Sequence, residues 1–143
     1  MNLKQFELKA NKSEFKKAKI TRSSESVEYI IQFYGDDIEI YESCFILLLN
    51  KANTTIGYAK ISQGGICGTV VDTRLVCKYA IESLCSSVIL CHNHPSGNTQ
   101  PSNADNKITQ QIKEGLKLFD IVMLDHVILT ESSYYSYADE GNL

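Results

Sequence analysis

The amino-acid sequence predicts an α+β fold in which a mixed β-sheet is flanked by helices. A continuous apolar run, residues 44–49, is too short for a buried helix and suits a central strand, and Ser87–Cys91 reads as another short buried strand. Other stretches carry apolar residues at helical spacing. The strands come first as a meander and later alternate with helices, an order that gives a mixed sheet covered on its faces. At 143 residues and 43% hydrophobic composition, the chain fits one domain with an ordinary core. Such a core needs neither disulfides nor a structural metal, so any metal is expected to be there for chemistry.

Ser23-Ser24-Glu25 opens a helix with Val27, Ile30, Ile31 and Tyr34 on its apolar side and Gly35 as its stop. The acidic residues 36–42 lead into the first strand, 44–49. Residues 50–53 turn, and 54–61 return as the second strand of a hairpin. Gly64, Gly65 and Gly68 punctuate a third strand ending near Val71. Asp72 or Thr73 caps a helix with Val76, Ala80 and Leu84 in one stripe, widened by Leu75 and Tyr79. Strand 87–91 is followed by loop composition over 92–101. Ser102 opens a helix with Asp105, Ile108, Ile112 and Leu116 on one face. Residues 121–124 and 127–130 are two late strands, and the tail from Ser132 adds an edge strand or lies along the surface.

The net charge of −3 lacks the electrostatic footprint of a dedicated DNA-binding domain. It conceals an asymmetry. Residues 1–22 hold seven basic and two acidic side chains, a local +5, which leaves −8 for the rest. We read 1–22 as a solvated basic N-terminal extension and 23–143 as a single domain. There is no secretion signal and no apolar run of membrane-spanning length, so the expected location is cytoplasmic. Five cysteines without CxxC spacing (Cys44, Cys67, Cys77, Cys85, Cys91) read as reduced core residues.

The chemistry concentrates between residues 92 and 105. His92 and His94, at i and i+2 at a strand end, project to one side with backbones about 6.5–7 Å apart, so two imidazoles can converge on one ion. Cys91 then faces the opposite side. Pro95 biases His94 toward an extended conformation. A loop containing Gly97 can return Asp105, in the first turn of a helix, over the histidines. Two imidazoles and a carboxylate suit zinc, and three protein ligands leave a fourth position for water, the arrangement of a catalytic site. Ser102 and Asp105 also fit a capping box, and the two readings are compatible.

His92-Asn93-His94-Pro95, six further residues and Ser102-Asn103-Ala104-Asp105 resemble the signature of the JAMM (JAB/MPN-type) zinc metallopeptidases. The fuller string, with Ser96-Gly97 and Pro101, is similar to their bacterial RadC-like branch. The resemblance covers about residues 24–143, with Glu42 before the first strand, Gly64-Gly65 before the second helix and Asp125-His126-Val127-Ile128-Leu129 after the third. It implies a JAB/MPN (cytidine-deaminase-like) architecture and Zn2+ held by His92, His94 and Asp105. It also implies Glu42 as general base and Ser102 as a stabiliser of the oxyanion. The implied activity is hydrolysis of peptide or isopeptide amide bonds by metal-activated water. From the residues alone, Glu39 is as well placed as Glu42 for the base. His126 reads as a buried or strand-edge histidine with an ordinary hydrogen bond. Two departures stand out: Asp72-Thr73-Arg74 replaces a common Pro-Arg-Glu, and 1–22 is too short for the branch's helix–hairpin–helix-like module.

A second class is a DNA-repair-associated module that binds nucleic acid or protein, suggested by the label of RadC-like proteins and by the basic arm. The acidic body and the lack of a helix-turn-helix, RNP motif or basic-aromatic stripe give it little support. A catalytically idle scaffold would be marked by a missing ligand, and all three are present. The expected partner is therefore a peptide or protein substrate, with no membrane.

Overall fold

A computed structural model describes residues 1–65 and 70–143. Its five strands are β1 (Ser43–Leu49), β2 (Thr55–Gln63), β3 (Ser87–Asn93), β4 (Val122–Leu129) and β5 (Tyr134–Ser136). They form one sheet in the order β2-β1-β3-β4-β5, antiparallel except for the parallel pair β3 and β4. The helices are α1 (Ser23–Ile30), α2 (Thr73–Glu82) and α3 (Asn103–Lys117). The fold is the mixed α+β arrangement that the periodicity predicts. Among the described residues, no helix is long and apolar enough to cross a membrane.

Helices cover both faces because β1 and β3 are buried at every position. Cys44, Ile46, Leu48, Val88 and Leu90 pack toward Val76 and Ala80 of α2 and Ile112 and Leu116 of α3. Leu47, Leu49, Ile89, Cys91, Val127 and Leu129 pack on the other side with Ile20 and Ile30. Gly115 lets α3 approach α2 closely, since a Cβ there would lie 3.4 Å from both Cys77 Sγ and Thr73 Cγ2.

Several elements differ from the sequence expectation. The two late strands are one, β4, with a register irregularity: Val88 pairs with Met123 and Ile89 with Asp125, so Leu124 is extra. Such a bulge reverses which face the following residues meet. Met123 accordingly packs with α2 and α3, whereas Val127 packs with α1. Leu84 lies outside α2, with φ +54° and 87% exposure, so it takes no part in the helix stripe. Asp72 supplies the α2 N-cap by accepting the Arg74 N–H, so the departure from Pro-Arg-Glu leaves a capped helix. The helix from Ser23 gives way to a 3-10 turn at Ile31–Phe33, and the tail forms edge strand β5. The third strand expected before Val71 falls mainly on residues 66–69, outside those described, as does Cys67.

The end of the basic N-terminal stretch is docked on this body. Ile20 is buried, Lys19 bridges to Thr54, and Phe15 packs on Phe33 and Tyr58.

Candidate metal centre

β3 sets the position of His92. Strand alternation sends Cys91 toward α1 and His92, nearly buried, toward α3. His94 follows the strand but keeps its pairing, its N–H donating to the Leu129 carbonyl at 2.8 Å. Gly97, at φ +83°, turns the loop that leads to α3. There Ser102 is the N-cap and Asp105 the third helical residue. The Ser102 hydroxyl accepts the Asp105 N–H at 3.1 Å, and Asp105 Oδ2 accepts the Ser102 N–H at 2.8 Å. The same carboxylate reaches the histidines, with Oδ1 3.2 Å from His92 Nε2 and Oδ2 3.3 Å from His94 Nε2. The capping box thus forms with the same carboxylate turned toward both histidines.

Glu42 stands immediately before β1, its carbonyl accepting the Gly64 N–H at 2.8 Å. Its Oε1 is 3.7 Å from His94 Nε2. Glu42, His92 and His94 present ligand atoms within 4.8 Å of one another. Glu39 is exposed and hydrogen-bonds Glu131, which raises its carboxyl pKa. Geometry therefore separates two acids that the sequence leaves equivalent. What aims the segment before Glu42 is Asn93, fully buried, which donates to the carbonyls of Ile38 and Tyr41 (2.6 and 2.8 Å) and accepts the Ser43 N–H (2.7 Å). Sequence reasoning passed over Asn93, whose partners lie 50 or more residues away.

The donor set suits a divalent cation. His94 Nδ1 lies 2.7 Å from the Asn98 carbonyl. A carbonyl only accepts, so the proton sits on Nδ1 and the Nε2 lone pair is available to the centre. His92 Nε2 is 3.0 Å from His94 Nε2, so two ring nitrogens converge beside two carboxylates. Burial works against the Asp105 charge, but a protonated imidazole donates to it from Nε2, which holds the carboxyl well below its ordinary range and raises the pKa of His94; the neutral rings turn lone pairs there instead. Burial pushes the neighbouring thiols up, Cys44 well above its ordinary value and Cys91 to about 12, so both stay protonated.

Glu42, His92 and Asp105 open onto a cavity of about 250 Å³ whose lining also includes Leu90, Ile108 and His126. His126 is not an isolated core histidine. It is fully buried, and its Nε2 lies 2.7 Å from His92 Nδ1.

The model of the RadC-like JAB domain matches residues 20–142. The chain belongs to this family. Among curated relatives, a UPF0758 protein of Flavobacterium johnsoniae is 45% identical over 123 residues, 86% of this chain and 53% of the relative. One of Streptococcus sanguinis is 34% identical, with coverage of 89% and 55%, and one of Porphyromonas gingivalis is 39% identical, with coverage of 71% and 45%. This RadC-like JAB chain therefore spans about half the length of the curated relatives it matches. The five-stranded mixed sheet with three helices is consistent with the JAB/MPN architecture.

Proposed function

We propose that this RadC-like JAB domain is a zinc-dependent hydrolase of peptide or isopeptide bonds. The supporting observation is the convergence of His92, His94, Asp105 and Glu42 at a cavity that Glu42, His92 and Asp105 line. His92, His94 and Asp105 would hold the ion. Bound zinc supplies Lewis acidity, lowering the pKa of water and polarising a substrate carbonyl.

Glu42 takes the proton of the attacking water on its carboxylate and returns it to the leaving amine. The Ser102 hydroxyl, which accepts from Asp105 N–H, keeps its own proton to donate toward the oxyanion. Leu90 and Ile108 give the cavity an apolar side, where a substrate side chain next to the cleaved bond can rest and exclude water.

The test combines zinc titration with cleavage of a mixed peptide and isopeptide library in ¹⁸O water. Zinc should bind, and each new carboxyl should carry solvent oxygen. Glu42→Gln should keep zinc but slow cleavage by about 100- to 10,000-fold. A chain that takes up no zinc, or one in which Glu42→Gln cleaves at the parental rate, overturns the proposal.

A further inference from the structure

We infer that His126 and Thr109 are positioning residues that set the tautomer of His92, so that its Nε2 presents a lone pair to the metal centre. The consequence for metal binding rests on the function proposed above. The tautomer itself does not.

The direction of each proton follows from the far end of a chain of contacts. Thr109 Oγ1 lies 2.6 Å from the carbonyl oxygen of Asp105. Two oxygens that close need a proton between them, and a carbonyl has none, so the Thr109 hydroxyl donates there. Having spent its proton, Thr109 can only accept from its other neighbour, His126 Nδ1, also at 2.6 Å. His126 Nδ1 therefore carries hydrogen. The ring is fully enclosed, with Tyr137 stacked on it at a centroid distance of 4.8 Å and an interplanar angle of 2°. A charged imidazole would need an acceptor at each ring nitrogen, and this enclosed ring meets the Thr109 oxygen at Nδ1 but another ring nitrogen at Nε2, so the neutral ring fits, with Nε2 as an acceptor. The partner of that nitrogen, 2.7 Å away, is His92 Nδ1, which must donate. Neutral His92 then has no proton on Nε2, the nitrogen that faces His94 Nε2 and Asp105 Oδ1.

Every proton in the sequence Asp105 carbonyl, Thr109, His126, His92 points away from the centre. The reverse polarity would aim a His92 N–H at the place where a cation must sit. It would also leave the Thr109 and Asp105 oxygens in contact without a proton. The chain begins and ends on the same residue, since the Asp105 carboxylate meets His92 Nε2 while its backbone carbonyl anchors Thr109. The helix and strand sides of the centre are thereby tied together. The β4 bulge places His126 on this face, and Tyr137, whose hydroxyl donates to Asn106 Oδ1 at 2.8 Å, holds the ring flat.

Long-range ¹H–¹⁵N histidine spectra of the labelled, metal-free chain above neutral pH read the tautomers without any mutation. His92 and His126 should both be protonated on Nδ1, against the Nε2–H form that free imidazole side chains prefer. Thr109→Val preserves shape but removes the acceptor. It should move the His126 proton to Nε2 and that of His92 to Nε2, and weaken zinc binding by about 10- to 100-fold. Thr109→Ser should restore both. His126→Phe, which keeps a ring against Tyr137, should weaken zinc binding to a similar extent. His92 protonated on Nε2 in the unmodified chain overturns the inference. So does Thr109→Val with an unchanged spectrum and unchanged zinc affinity. Failure of the unmodified chain to bind zinc counts against the proposed hydrolase, while the metal-free spectrum still decides the tautomer.

Discussion

Asn93 and His92 are neighbours on β3 and both are buried, yet their polar atoms are satisfied in opposite ways. On the α1 side, Asn93 meets three backbone partners and uses both its donors and its acceptor within the fold. On the α3 side, His92 is the last member of a directional chain whose donors are consumed by His126, Thr109 and the Asp105 backbone. What converges there is ring nitrogens and carboxylate oxygens, from two imidazoles and two carboxylates within a few ångströms. A closed polar set supports shape. A directional one that ends on converging acceptors is suited to receive a positive charge from outside the chain.

Paired substitutions can break that contrast. The largest expected effect is His92→Ala, which removes one of three ligands and should weaken zinc binding on the order of a thousandfold, a fraction of the total typical of protein zinc sites. Isothermal titration with zinc reads it directly. Asn93→Ala should do the reverse. It strands the buried Ser43 N–H and two carbonyls, and should cost about 2–4 kcal/mol in urea unfolding of the metal-free chain. If His92→Ala proves the more destabilising of the two without metal, or Asn93→Ala the weaker zinc binder, the division between the faces is wrong.

The same contrast explains which parts of the centre were legible in the sequence. The i, i+2 histidines could be placed on one side because strand alternation is local, and Asp105 could be placed at a helix start because capping chemistry is local. Cys91 facing into packing followed from the same alternation. The β4 bulge was hidden. Asp125 and His126 interrupt an apolar run and so suggested a gap between two strands. In the fold, Asp125 is satisfied by Ser136 Oγ at 2.6 Å and by the Ala138 and His126 N–H groups, at 3.0 and 2.7 Å. The partners that allow a buried carboxyl there lie up to 13 residues away in sequence. Leu84 was misplaced for a similar reason. No glycine marks the end of α2, and the chain leaves the helix through a left-handed leucine instead.

Ser102 gives the smallest and most discriminating effect, because it belongs to both kinds of polar set. As an N-cap it satisfies the Asp105 N–H, a role any good capping side chain can fill. As a hydroxyl that can still donate its proton, it is proposed to stabilise the developing oxyanion, a role that requires a hydrogen-bond donor. Ser102→Ala should cost about 1 kcal/mol of stability through the lost cap. At saturating zinc it should also slow amide cleavage by about 100-fold or more, the size expected for removing one oxyanion donor. Ser102→Asp, which caps a helix as well as serine but when ionised has no proton to donate, should recover the stability and leave the rate depressed. Full recovery of the rate by aspartate would mean that the residue acts only by holding Asp105 in place. Ser102 would then belong with Asn93 among the groups that shape the centre, and the oxyanion would have to find its stabilisation from the ion alone.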